Sequence, residues 1–370
     1  MQKKLIALAV AGLVSAPAFA QSNVTIYGVA DAYVGSFSGD ITNGAGNKDG
    51  ARVNGVNSGG MSGSRIGFRG AEDLGNGLKA VFTFEQAINL DNASGIEGAR
   101  QQFVGLAGGF GTVVAGRLQT PGYDWGAKYD PMGAAVFSPM GQLSDSRVMT
   151  ISGREGLARV ENALAYISPS FSGLVVKAAY AFGEQDGVDT TAPVTDEERQ
   201  GVLGLSADYT NGPAAVGVVY HGLSNIAGID GLDQDEWALG GSYDFGVVKA
   251  IASYQQSKLD SAAGDYKSKL WQVGASVPVG AAGAAHVAYA QLKGDDSGDK
   301  AKSWALAYTH SLSKRTNLYA AYIQVDFDEN AQIESAATIP GVTGNYSFGG
   351  VRAEADEKYQ GMLVGVRHTF

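Results

Sequence analysis

The sequence predicts an all-β fold: a transmembrane antiparallel β-barrel of about sixteen strands, closed on itself. Three observations carry this. The last dozen residues, 359–370, alternate in strand fashion to the final atom and stop on Phe370, where ordinary domains fray. A strand at a chain end suits a sheet without a free edge. Short turns alternate with long polar inserts along the chain, as in barrels with tight turns at one rim and long loops at the other. Between them, apolar and polar residues alternate with a period of two, which gives each segment two unlike faces.

In chain order, Lys3 and Lys4 precede an apolar stretch, Leu5 to Ala16, which is too short to cross a bilayer. Ala18-Phe19-Ala20 then offers the small residues that a signal peptidase reads. Residues 1–20 are expected to be a cleaved export signal, and 21–370 a single barrel domain. In the first strand Val24, Ile26, Ala30, Ala32 and Val34 oppose Thr25, Tyr27, Asp31 and Tyr33. Arg65 and Arg69 share a face against Ile66 and Phe68, and Leu78, Ala80, Phe82 and Phe84 oppose Lys79, Thr83 and Glu85. Later segments align Trp237 with Leu239, Tyr243 and Phe245, and Trp304 with Leu306 and Tyr308. Tyr319, Ala321, Ile323, Val325 and Phe327 form one face of the penultimate strand.

Turn signals at 72–77, 108–111, 168–173, 211–213, 244–246, 278–283 and 311–316 read as short connections. Polar inserts fall near 37–60, 86–99, 118–158, 183–200, 223–235, 258–266, 293–301 and 327–356. Seven short turns and eight long loops, with both termini on the short-turn side, imply about sixteen strands.

Composition bounds the function. There is no cysteine, so disulfides and thiolate metal sites are unavailable. The 53 glycines are spread through strand-like segments and form no linker. The net charge is −10, and −12 once Lys3 and Lys4 leave with the signal, which argues against nucleic-acid binding. A soluble all-β fold is the rival reading. Aromatics recurring near strand ends, where membrane girdles sit, favour the barrel.

Four stretches together resemble the general porins of Gram-negative bacteria, most closely the trimeric porins of β-proteobacteria. They are 24–29, 64–77, 103–117 and the terminal Gly365-Val366-Arg367-His368-Thr369-Phe370. The resemblance implies a trimer of sixteen-stranded barrels in the outer membrane, reached by export through the periplasm, that passes ions and small hydrophilic solutes by diffusion. It also implies a third loop folded into the lumen; insert 118–158 is the longest in this chain. In relatives, acidic residues of that loop face a basic wall at a narrow eyelet. By motif, Arg65 and Arg100 fall on the wall positions, with Arg117, on strand parity, and Arg159 as further candidates. Asp124, Asp130, Asp145 and Glu155 are the candidate loop carboxylates. A first-strand position that is basic in enterobacterial relatives is Val29 here. Phe370 resembles the closing aromatic that the barrel-assembly machinery reads, and the second insert, with Asp91 and Glu97, resembles a loop that latches onto a neighbouring subunit.

An enzyme is not expected. The four histidines, His221, His286, His310 and His368, lack metal-ligand spacing, and no nucleophile elbow, zincin or phosphate-loop motif occurs. Neither a cofactor nor a metal is implied. A substrate-specific channel would favour a line of lumen aromatics, whereas Tyr27, Tyr33 and Tyr322 are scattered. An outer-membrane lipase and an adhesin or phage-receptor role are the readings from other classes. Carboxylate-rich inserts such as 195–198 and 230–236 read as solvated loops, able to bridge through divalent cations to lipopolysaccharide among the outer-membrane lipids.

Overall fold

A computed structural model describes residues 23–42, 48–146, 149–152, 157–183, 201–226, 229–262, 264–295, 299–328 and 357–370. The expected signal, 1–20, lies outside them, as does Glu155. The wall begins with β1 (Asn23–Thr42), β2 (Lys48–Ser58), β3 (Arg65–Gly75), β4 (Leu78–Ile88), β5 (Ile96–Gly108) and β6 (Gly111–Gln119). After the third insert come β7 (Arg159–Ile167), β8 (Leu174–Ala181), β9 (Gly201–Asn211), β10 (Ala214–Ser224), β11 (Asp233–Asp244) and β12 (Lys249–Asp260). The last five are β13 (Tyr266–Val279), β14 (Gly283–Lys293), β15 (Lys300–Ser311), β16 (Thr316–Phe327) and β17 (Lys358–Thr369).

Every pairing is antiparallel, and β17 returns to β1 in register from Val29↔Thr369 to Gly39↔Tyr359. On its other edge β1 pairs with β2 along Ala32–Thr42 and with β3 along Asn23–Val29. The segments β2 and β3 are therefore one stave, interrupted at 59–64, and seventeen segments make sixteen staves. The interruption is held by Asp31, whose carboxylate accepts the backbone N–H of Gly60 (3.1 Å), Met61 (2.9 Å) and Ser62 (2.9 Å) and the Tyr319 hydroxyl (2.5 Å). One expectation is corrected here. Much of the insert read at 37–60 is strand, because ladders on both edges of β1 fix a polar Gly/Ser/Asn-rich run that lacks strand propensity of its own.

The seam closes at the chain end. Phe370 and Gly28 exchange backbone hydrogen bonds of 3.1 Å each way. A Cβ on Gly28 would meet the Phe370 ring at 2.4 Å and the Arg65 carbonyl at 2.6 Å, so only glycine lets the three backbones approach.

The third insert lies inside the barrel as two short helices, α1 (Pro121–Lys128) and α2 (Pro139–Asp145). Each starts with proline after a capping hydroxyl: Thr120 accepts from Tyr123 N (3.3 Å) and Ser138 from Gly141 N (3.0 Å). Trp125, Tyr129, Leu143, Met149 and Ile151 are buried against lumen-side Ala238, Ala288, Ala290, Ala305 and Ile323. Fully burying one such side chain contributes about 1.5–3 kcal/mol, so the loop is bedded and not draped. This explains β16, whose apolar row Tyr319–Phe327 faces the lumen and not lipid. Small wall residues make the space: a Cβ on Gly240 would meet Tyr129 Cγ at 2.4 Å.

Candidate functional site: a lumen eyelet

Opposite the bedded loop, the wall of β3, β4, β5 and β7 brings arginines together. Arg65 projects inward by strand parity, one residue past the broken stave. Arg100 arrives differently. It is the extra residue of a β-bulge, since Glu85 pairs with Gln101 and Gln86 with Ala99, and a bulge re-aims a side chain. Its Nε binds Glu85 Oε1 at 2.8 Å, and Arg65 Nε lies 3.7 Å from Glu85 Oε2. Tyr27 donates to the same carboxylate at 3.0 Å. Glu85, only 5% exposed, is thus saturated by its own neighbours.

Arg159 completes the group. Its guanidinium stands 4.7 Å from the ring centroid of Tyr123 on α1, and its Nε and Nη2 find no acceptor among the described residues. Arg367 on β17 donates to Ser62 at 2.8 Å and acts electrostatically on Arg65. Among the described residues, Arg65, Arg100, Arg159 and Arg367 therefore gather near Glu85, with Asp31 opposite Arg367 on β1 and occupied by the backbone of 60–62. Burial would push the Tyr123 phenol up, but Arg159 and Arg100 outweigh it and hold the phenol below its ordinary value of 10.0.

The other sequence candidates stand elsewhere. Arg117 shares the side of exposed Val113 and Ala115, opposite buried Val114 and Leu118. It pairs with exposed Glu161 and donates to Ala99 O at 2.6 Å, so its expected lumen orientation is corrected. Val113, Val114 and Ala115 are all apolar, so the sequence alone left the phase of the alternation open there. Asp130 is 4% exposed and accepts from Met132 N (3.0 Å), Ala134 N (2.8 Å) and Gln272 (3.3 Å). Burial raises its carboxyl above the usual range, and it shapes the loop without facing the arginines. Asp124 lies in the lumen but is paired with Lys177 on β8 at 2.5 Å. Asp145 ends α2, half-buried. Val29 is on the lumen side and buried.

Sequence reading passed over Glu85, Tyr123 and Arg367. Parity had already put Glu85 on the inward face, so a lone carboxylate between two arginine strands was the available signal. It also passed over the loop's anchor. Glu236 on β11 accepts from Thr150 N (2.6 Å), Thr150 Oγ1 (2.8 Å) and Ile151 N (3.3 Å). Its cross-strand neighbour His221 accepts from Gly122 N at 3.1 Å, and its Nδ1 meets Thr150 Oγ1 at 3.1 Å. The hydroxyl, imidazole and carboxylate imitate a catalytic triad, but His221 and Glu236 are 0% exposed and every group is spent on holding the loop.

A family model described as Gram-negative porin matches residues 7–330. Outer membrane porin protein 32 of Delftia acidovorans is 35% identical over the whole of both chains. An outer membrane porin of Bordetella pertussis is 30% identical over 86% of this chain and 93% of its own. Among solved structures, an anion-selective porin from Comamonas acidovorans superposes with a TM-score of 0.73 at 32% identity, over 95% of this chain and 100% of that one. OmpT of Vibrio cholerae, at 17% identity and TM-score 0.64, shares the fold.

Proposed function

The chain belongs to the Gram-negative porin family, and from that premise we propose that its eyelet favours anions. The barrel is a passive channel of the outer membrane. What supports the sign is the surplus of guanidiniums over carboxylates among the described residues at the narrowing, together with Asp124 and Asp130 being spent elsewhere. Fixed charge at a constriction biases which ions enter, and a similar solved porin is titled anion-selective. Ordered polar groups across such a gap also favour hydrophilic solutes over apolar ones. With a salt gradient across a planar bilayer, the dilute side should become negative; a positive dilute side would refute the preference.

A trimer fits the outer surface. The outward face of β11–β16 carries tilted Trp237–Tyr254, Trp271–Tyr289 and Trp304–Tyr322 ring pairs with centroids 5.3, 5.5 and 5.1 Å apart, the belt expected against lipid. The outward faces of β1 and β3–β5 carry Val24, Ile26, Ala30, Ile66, Phe68, Phe84 and Val104 instead. Leu90 on the adjacent second loop and Ile96 at the start of β5 stand exposed, suited to reach a neighbour. Crosslinking in native membranes should capture three copies; monomers alone would count against it. Cleavage after Ala20, recognition of Phe370 by the assembly machinery and contact with lipopolysaccharide complete the proposed life of the chain.

A further inference from the structure

We propose that the lumen wall on the short-turn side of the eyelet holds a binding bay for aromatic monocarboxylates; this rests on the anion-favouring channel proposed above. Arg69 follows Arg65 by four residues on β3, toward the short β3–β4 turn, which is about 13 Å along the strand. There the wall of β3–β8 forms a bay of about 470 Å³ beside Pro121 and Asp124 of α1, a volume ordinary for a small-molecule site. Its floor is apolar, which is out of character for the bore of a channel. Val81, Phe103, Val114 and Ala165 line it. All four belong to or pack against the cluster around Leu118, and Val81, Phe103 and Ala165 are only partly buried by it. Register fixes which way Phe103 points. It stands opposite Thr83, as Gln101 stands opposite Glu85, so it shares the lumen face of Glu85 while Val104 and Leu106 are exposed outside. Its other cross-strand neighbour, Gly116, brings no side chain over the ring.

The charges of the bay leave one cation over. Asp124 is paired with Lys177 at 2.5 Å and accepts from Gln119. Arg69 is exposed and makes no ion pair among the described residues; its guanidinium stands 4.9 Å from the Tyr27 ring centroid. One unbalanced guanidinium suits one carboxylate, which it binds through two parallel N–H donors. A dianion would leave one of its charges unmet. Arg69 pairs across the sheet with Thr83, and Thr83 with Phe103. Two interstrand steps put the backbones of Arg69 and Phe103 about 10 Å apart, a gap that one aromatic ring and its carboxylate fill. The ring then lies on Phe103 and the aliphatic floor, in a geometry that aromatic pairs favour, and the carboxylate meets Arg69. A two-carbon acid reaches Arg69 without covering the floor, and a neutral ring covers the floor without engaging the guanidinium.

The test records chloride current through the purified full barrel in a planar bilayer as sodium benzoate, sodium acetate or benzyl alcohol is added at constant ionic strength. Benzoate should lower the current along a saturating curve; acetate and benzyl alcohol should give no saturable block. Arg69→Gln and Phe103→Ala should each raise the half-blocking benzoate concentration about tenfold, and Arg69→Lys, which keeps the charge, should raise it less than Arg69→Gln. Neither residue belongs to the eyelet, so chloride conductance without benzoate should be largely retained in these variants. A barrel that conducts chloride but shows no saturable block by benzoate, or equal block by acetate, would overturn the bay and leave the channel reading standing. Half-blocking concentrations unchanged in Arg69→Gln and Phe103→Ala would overturn it as well. A bilayer that stays insulating would remove the channel reading and the bay with it. Should Phe103→Ala not assemble, Arg69→Gln and the comparison of benzoate with acetate on the native protein still decide.

Discussion

Replacing Arg65, Arg100 and Arg159 together by glutamine should abolish the anion preference. Among the described residues the group then keeps Arg367 and Glu85, and its surplus of positive charge is gone. In the native eyelet an ion about 10 Å from three unbalanced charges, at an effective dielectric between that of water and a protein surface, feels about 1–5 kcal/mol. Every 1.4 kcal/mol is about tenfold, so permeability ratios should fall by about tenfold or more at low salt and by less where salt screens the wall. Zero-current potentials across a salt gradient measure this directly. Arg159→Gln alone is the cleaner companion, because among the described residues its Nε and Nη2 bind no carboxylate. Alkaline pH should act in the same direction. As pH rises through the Tyr123 pKa, held below 10.0 by the guanidiniums, the phenolate cancels one positive charge and anion preference drops. Tyr123→Phe should remove that dependence. An unchanged potential in the triple variant would mean that the arginines do not govern passage.

Substituting Glu236 by leucine should free one limb of the inner loop. The Thr150 and Ile151 N–H groups would lose their buried acceptor, at about 1–3 kcal/mol each, and Thr150 would lose its link to β11. The remaining apolar bed under Trp125, Tyr129 and Leu143 keeps the rest of the loop seated. The expected outcome is a noisier and larger single-channel current, with faster proteolysis near residue 150, in a barrel that still assembles. Thr150→Val removes the hydroxyl but keeps both N–H bonds and should show a milder form. Native current noise in the leucine variant would show that the carboxylate is not the anchor.

The barrel was legible because its rule is local. Period-two patterning and turn residues survive in a single sequence, so Trp304, Leu306 and Tyr308 declared an outer face without knowledge of neighbours. The inner face of β16 was not legible as inner, because its apolar row answers to a loop about 180 residues earlier in the chain. The eyelet was half legible. Arg65 follows both motif and parity, but Arg100 sits in a bulge, where parity points the wrong way and only the motif found it. Arg117 failed on parity for another reason: Val113, Val114 and Ala115 are all apolar, so the alternation before it showed no phase. Among the acids, Asp130 could be read as an eyelet carboxylate until its backbone partners were seen, since an Asp-Pro step equally well caps its own turn. Glu236 and His221 were invisible because their partners are backbone N–H groups that no side-chain pattern records.

A water-filled bore between the bedded loop and the arginine wall is the physical premise of all this, and electrical recording tests it without mutation or label. Purified protein added to a planar bilayer should raise the current in discrete steps whose size keeps growing with salt concentration and reaches no plateau. A bilayer that stays insulating despite confirmed insertion of folded protein would contradict it.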